Sequence, residues 1–350
     1  VYFQGGASGV PSYFQLPIVY GNFTVNDHFE PGFTVPYGVA GVGDFQPGAN
    51  ASRPDGTLNQ VTGSAGNDVY RGDRLPAELA GDYFYGEPVA RIVRRVKVET
   101  TDGLTRMRNA YQKERAEFIR STDHLFRPVE METAPDGTLY IVDAYRGIIQ
   151  EGNWTRPGSY LRRKIDQYQL DKVHSHGRIW RLTYDGIERD RRQPRMLDET
   201  PAQLVKHLEH PNGWWRDQAQ KLLVLRRDKS VAPALQTMAR SSASEFGRIH
   251  ALWTLEGLGA LEATLVREFM TDGNPRLRVQ AIRASETLFK AGDKSFESDV
   301  QALAKDSDPN VAIQSLLTLN LEKVPNVEAL VRATISSTNS NRGVREIGAQ

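Results

Sequence analysis

The sequence predicts a mixed, multidomain fold, strand-rich as far as residue 190 and helical from residue 201, and three observations carry that expectation. First, residues 126–143 read as two short strands joined by a Pro135-Asp136-Gly137 turn, where Asp136-Gly137 supplies the positive φ and Leu139 and Ile141 a buried strand. The hairpin ends in Asp143 and enters an aromatic and basic loop, Asp143-Ala144-Tyr145-Arg146. A β-propeller blade hands a loop to its central channel in this way. Second, strand pairs closed by Asp-Gly or Pro-Asp-Gly turns recur, which suggests two or three blades. A complete propeller takes at least about four, so these are read as its C-terminal blades. Third, segments opening at His210-Pro211, Ser244-Glu245, Asn274-Pro275 and Asp308-Pro309 recur at roughly 31 to 34 residues, as helix-pair repeats do. The cap and the basic or small residue after it fit an α-helical HEAT-like repeat solenoid better than tetratricopeptide or ankyrin signatures, which are missing.

Taken in order, residues 1–80 are rich in Gly, Pro, Asn and aromatics, and are expected to be a loop-rich segment packed over the propeller part. Strands follow at 82–86 and at 90–98, where Ile92, Val93, Val96 and Val98 alternate with Arg91, Arg94, Arg95 and Lys97; that pattern predicts a strand with one solvated, basic face. Residues 155–172 read as helical or irregular, and 177–184 as a further strand ending in the turn Asp185-Gly186. The partial propeller thus spans 81–190, and the polar, proline-containing residues 191–200 read as a linker. In the repeats over 201–350, Trp215, Leu223, Leu252, Leu255, Val279, Ile282, Ile313 and Leu316 are the expected inner faces. The Trp214-Trp215 pair and Trp253 read as packing residues rather than a ligand box.

Composition narrows the function. A formal net charge of +1 over 350 residues argues against a nucleic-acid binder. Cysteine is absent, which removes disulfides, thiolate metal sites, iron–sulfur ligation and covalent haem attachment from this chain, while saying nothing of compartment. No run of about 18 apolar residues predicts a transmembrane segment. The amino terminus lacks the order of a signal peptide, so the expectation is that the chain begins partway through a longer protein; Tyr2-Phe3-Gln4-Gly5 also resembles the remnant of a protease-site tag. Sequons start at Asn22, Asn50 and Asn153, and carry weight only in a eukaryotic secreted protein.

Several motifs in fixed order carry a resemblance: Tyr70-Arg71-Gly72-Asp73-Arg74-Leu75-Pro76, Gly86-Glu87-Pro88, Asn109-Ala110-Tyr111, Phe126-Arg127-Pro128-Val129, Pro135-Asp136-Gly137-Thr138-Leu139-Tyr140, Tyr145-Arg146-Gly147-Ile148-Ile149-Gln150 and His176-Gly177-Arg178-Ile179-Trp180-Arg181. Together they resemble the membrane-bound dehydrogenase family of planctomycete and verrucomicrobial bacteria. The resemblance implies an exported, periplasmic or extracellular, quinoprotein-type propeller, similar to soluble glucose and sorbosone dehydrogenases, followed by HEAT repeats and often by a cytochrome c domain. It implies pyrroloquinoline quinone and calcium as cofactors, a sugar or alcohol substrate, and a cytochrome c domain or other protein docked on the repeats. This chain departs from the family in lacking the earlier blades and any Cys-x-x-Cys-His.

A quinone cofactor of this kind needs cations for its carboxylates, a hard metal ion, and a base for the substrate hydroxyl proton. Arg127 stands where the resemblance places a cofactor-contacting arginine, and its planar fork suits a carboxylate; alternatively it braces the channel by pairing with Glu130 or Asp143. Arg71, Asp73 and Arg74 form either channel-lining ligands, with Asp73 on a metal, or a salt-bridged turn. Glu87 and Asp143, at strand ends, are candidate bases or metal carboxylates. Tyr145 and Arg146 are placed to cover a cofactor by stacking and pairing. His174 and His176 would share a face on a strand and suggest a transition-metal site. Arg71, Asp73, Glu87, Arg127, Asp143 and Arg146 are expected to converge on one end of the propeller axis. The functional expectations are an exported oxidoreductase passing electrons to a cytochrome, a non-catalytic propeller and HEAT scaffold for protein binding, or a metal-dependent propeller hydrolase.

Overall fold

A computed structural model describes residues 3–5, 10–12, 30–39, 53–54, 57–149, 152–337 and 341–350. Nearly half of the loop-rich segment expected over 1–80 lies outside these residues, as do the sequons at Asn22 and Asn50 and residue Gln150. Two compact units are distinguished. One takes in Val1–Tyr13, Asp27–Glu99 and Arg106–Arg192; the other consists chiefly of Gln193–Gln350, with Thr100–Thr105.

The first unit is built from antiparallel strands. Strands β1 (Phe3–Gly5) and β2 (Val10–Ser12) pair with each other. A larger sheet runs in the order β3 (Ala65–Val69), β4 (Tyr83–Glu87), β5 (Ile92–Thr101), β6 (Leu104–Asn109), with β7 (Ile119–Arg120) also paired to β5. Asp102 and Gly103, both at positive φ, close the β5–β6 hairpin, the tight turn an Asp-Gly pair favours. The third sheet has the order β10 (Arg178–Leu182), β9 (Leu139–Asp143), β8 (Pro128–Thr133), and its β8–β9 turn is the Pro135-Asp136-Gly137 turn read from the sequence. Gly137 has φ +82°. Strand β8 packs against β3 and β4, close enough that a Cβ on Gly66 would strike the Glu130 backbone. Tyr70, Phe84, Val93, Met131, Leu139 and Ile141 form the core of this packing. Between the strands lie the one-turn helix α1 (Gly152–Thr155) and α2 (Tyr160–Tyr168), whose Leu161 and Ile165 are buried.

One expectation for β5 is overturned. Its arginines do not form a solvated face: Arg94 is fully buried and Arg95 nearly so. Each is neutralised. Arg94 grips the buried Glu117 with Nε and Nη2, while its guanidinium also donates to the carbonyls of Phe33 and Val35 and to the Tyr85 hydroxyl. Arg95 pairs with Asp82. Planar, bidentate pairing lets a guanidinium stay charged where a lone cation would be expelled, and periodicity alone cannot reveal a partner 23 residues away.

The second unit contains ten α-helices among the described residues and no strand beyond residue 205. They pack as consecutive pairs: α3 (Pro201–His207) with α4 (Gly213–Arg226), α5 (Ala232–Ser241) with α6 (Glu245–Gly257), α7 (Ala263–Met270) with α8 (Pro275–Lys290), α9 (Glu297–Leu303) with α10 (Pro309–Leu321), and α11 (Val327–Ile335) with α12 (Arg342–Gly348). Helices α4, α6, α8 and α10 also pack on one another in succession. The recurring openings are their N-caps: the side chains of Asn212, Ser244, Asn274 and Asp308 each accept a backbone N–H of the first turn. Two residues before each of these caps, His210, Ser242, Asp272 and Asp306 accept the cap's own N–H. Arg248 then reaches Asp272, and Arg278 reaches Asp306 with two bonds at 2.9 and 2.8 Å. One helix pair is thereby tied to the next through its own cap.

Of the expected inner-face residues, Trp215, Leu223, Leu252, Leu255, Ile282 and Leu316 are buried and Val279 and Ile313 are partly buried against the cores. Trp215 belongs to that core, with Trp214 edge-on against it. Leu252→Ala should cost about 2–5 kcal/mol in urea unfolding, because the side chain has no exposure and leaves a cavity. A loss under about 0.5 kcal/mol would mean that α6 faces the other way.

Candidate functional site

The residues nominated from the sequence fall at opposite ends of the β8–β9 hairpin and do not converge. Glu87, Arg127, Asp143, Tyr145 and Arg146 lie at the end where β8 begins and β9 finishes. Arg71, Asp73 and Arg74 lie at the turn end, where the Arg74 amide donates to the Gly137 carbonyl at 3.0 Å. The six residues of β8 separate the two groups by about 20 Å.

At the open end the buried charges of Arg127, Asp143 and Glu87 are bonded to the chain's own groups. Arg127 has no exposure; its Nε donates to the Arg146 carbonyl at 2.9 Å, Nη1 to the Pro88 carbonyl at 2.7 Å and Nη2 to the Gly147 carbonyl at 2.6 Å. Asp143, also buried, accepts from the backbone amides of Arg127 and Tyr145, each at 2.8 Å, and from the Trp180 indole at 3.1 Å. Glu87 ends β4 without exposure. Its Oε1 accepts from the Thr62 amide at 3.0 Å, the Thr62 hydroxyl at 2.7 Å and the Gly63 amide at 3.2 Å, and its Oε2 accepts from the Ala90 amide. Burial pushes the Glu87 carboxyl above the usual range, against the pull of these four donors.

This geometry does not suit a cofactor site. A guanidinium that holds a cofactor's carboxylates must turn its fork outward, whereas that of Arg127 is spent on three carbonyls. It braces the loops, as one sequence alternative had it, with its guanidinium on backbone oxygens and its amide on the Asp143 side chain. Glu87 and Asp143 are likewise enclosed by donors. Tyr145, at φ +44°, lies beneath Arg178, whose Cζ stands 3.3 Å from the ring centroid, so a protein cation already occupies that stacking face. The Arg146 backbone is stitched to Leu125 while its side chain is exposed. His174 and His176 are exposed in the loop before β10, not on a strand, and among the described residues no three His, Asp or Glu side chains gather as metal ligands.

The turn end is a charged network that the sequence showed only in part. The Tyr70 hydroxyl organises it, donating to the Gly137 carbonyl at 2.6 Å and accepting from the amides of Arg74 and Leu75 at 3.2 and 3.0 Å. Burial pushes its phenol up to about 12. Arg74 stands 3.6 Å from Asp73, the salt-bridged turn of the sequence alternatives, and Arg71 lies beside Asp68. Segment 189–192, where the partial propeller expected over 81–190 meets the linker expected over 191–200, folds back on the turn: the Asp190 amide donates to the Asp136 carbonyl, and Arg181 and Arg189 each approach Asp136 to 3.9 Å. Asp136, Arg181, Arg189, Asp190 and Arg192 were missed as members of this end. For Arg189, Asp190 and Arg192 the signal was the Arg-rich run after the Asp185-Gly186 turn, which polar composition disguised as the approach to a linker.

Over residues 34–186 the chain matches a domain of unknown function (DUF7133), which takes in fewer than half of its residues and names no activity. No curated protein matches the chain.

The charged end yields a pH prediction. Hydrogen bonds from Arg192 hold the Asp190 carboxyl down at about 2. A group lowered in the fold contributes stability that is present above its ordinary value and lost as pH falls through the folded one. NMR titration of the Asp190 carboxyl should therefore give about 2, and Arg192→Ala should return it toward the ordinary aspartate value of about 3.9. An unchanged midpoint in the variant would remove Arg192 as the cause.

Proposed function

We propose that this chain is a non-catalytic scaffold for protein binding, in which the antiparallel sheets are C-terminal propeller blades and the paired helices a HEAT-like solenoid that offers its α4, α6, α8 and α10 row to a protein partner. One observation carries the reading: the side chains nominated for chemistry at the strand ends, Glu87, Arg127 and Asp143, are fully buried and bonded to the chain's own groups. Such groups fix loops; they do not meet a substrate. The order of strand pairs followed by capped helix pairs supports the architectural part.

The dehydrogenase resemblance then describes the lineage of the scaffold. Oxidation of a sugar or alcohol, with quinone, calcium and a cytochrome acceptor in an exported protein, would belong to other segments of a longer protein, as would metal-dependent hydrolysis. The geometry lends its support to the scaffold alone.

The test is reconstitution of the purified chain with pyrroloquinoline quinone and calcium, followed by desalting, absorbance and dye-linked oxidation of glucose and simple alcohols. No retained cofactor and no turnover are expected. Arg127→Ala should lower stability by about 2–4 kcal/mol, since three buried carbonyls lose their donor. Calcium-dependent retention of the quinone that Arg127→Ala abolishes would overturn the scaffold reading and restore the oxidoreductase.

A further inference from the structure

We propose that the outer edge of β10 is a docking site for an extended segment of another protein, added as a further strand, with acidic residues beside Arg178 and Arg181 and apolar residues beside Ile179 and Trp180. It concerns the first unit and does not depend on what the helical row binds.

Strand β10 is the edge of its sheet, and among the described residues nothing pairs its other side. Such an edge presents a row of backbone donors and acceptors ready for another strand. Proteins guard such edges with proline, a bulge, a very short strand or charged side chains. Strand β10 has neither proline nor bulge, its register with β9 running unbroken over five residues from Arg178 opposite Asp143 to Leu182 opposite Leu139; its guard is the charge of Arg178 and Arg181, which an acidic segment neutralises.

The exposed apolar side chains select the kind of occupant. Ile179 is 70% exposed and sits opposite Val142, itself 37% exposed, so the two make an apolar pair on one face. Trp180, 45% exposed, points to the other face, opposite Ile141. A helix or a flat surface laid on the sheet would cover one of these faces. A strand set alongside β10 covers both, while its main chain satisfies the open edge.

The edge is also held in place before anything binds. The Trp180 indole donates to Asp143, and Arg178 lies on the Tyr145 ring with its Nη1 3.4 Å from Asp123. Little ordering is left for the partner to impose.

Charge selects the partner. Arg178 and Arg181 project to opposite faces of β10 and keep 34% and 35% of their side chains exposed. They favour a segment that is acidic, apolar, apolar, acidic, a pattern that reads the same in either direction. A second β10 would bring two arginines and no carboxylate to that edge, so the occupant is a different protein.

The experiment titrates the full chain with a fluorescein-labelled, end-capped peptide Thr-Glu-Val-Val-Glu-Thr, followed by anisotropy, beside Thr-Lys-Val-Val-Lys-Thr. The acidic peptide should bind saturably below about 1 mM and protect amides of 178–182 from hydrogen exchange; the lysine peptide should not bind. Arg178→Glu with Arg181→Glu should weaken the acidic peptide at least about tenfold and admit the lysine peptide. That gain is a readout which misfolding cannot imitate. Absence of saturable binding by the acidic peptide, equal binding of both peptides, or concentration-dependent dimerisation through β10 would each overturn the proposal.

Discussion

A guanidinium without solvent must find its hydrogen bonds inside the protein, and around Arg127 that requirement organises the strand ends of the first unit. Its three carbonyl partners belong to the turn after β4 and to the loop after β9. Its own amide donates to Asp143, which in turn receives the Tyr145 amide and the Trp180 indole from β10. One cation and one carboxylate thereby fix the loops and the edge strand. Leaving buried charge unsatisfied costs several kcal/mol, so these segments are ordered together or not at all.

Buried charge recurs at Arg94 with Glu117 and at Glu87 with its ring of amides. In each case polar residues do the work that an aliphatic core does elsewhere, and what they gain is fixed geometry rather than net stability. The helical unit is held differently. Its caps, and the Arg248 to Asp272 and Arg278 to Asp306 ties, join neighbours in sequence, while its core is aliphatic and aromatic. Local links of this sort make each helix pair dependent on the next.

That difference explains what was legible in the sequence. The caps at Ser244, Asn274 and Asp308 and the Asp136-Gly137 turn are written in adjacent residues, so the repeat openings and the hairpin were readable directly. Strands β4, β5 and β10 were readable from apolar content. The destinations of Arg94 and Arg127 were not, since their partners stand far off in the chain and, for Arg127, are backbone oxygens that no residue type announces. Hairpin strand β6 was overlooked because Leu104 and Met107 alternate with too many polar residues. The nominated site failed for the same reason: charge, Gly and Pro at a strand end mark a ligand site and a buried clasp alike, and only the placement of the polar atoms tells them apart.

The central claim, that Arg127 is a clasp and not a ligand contact, is tested most directly by native-state hydrogen exchange on Arg127→Met. The account predicts that protection falls together at the amides of Ala90, Ala144, Tyr145 and Arg146, and across β10, while that of helices α4, α6 and α8 stays at the wild-type level. Unchanged protection at those loop amides, in a variant that remains folded, would contradict it.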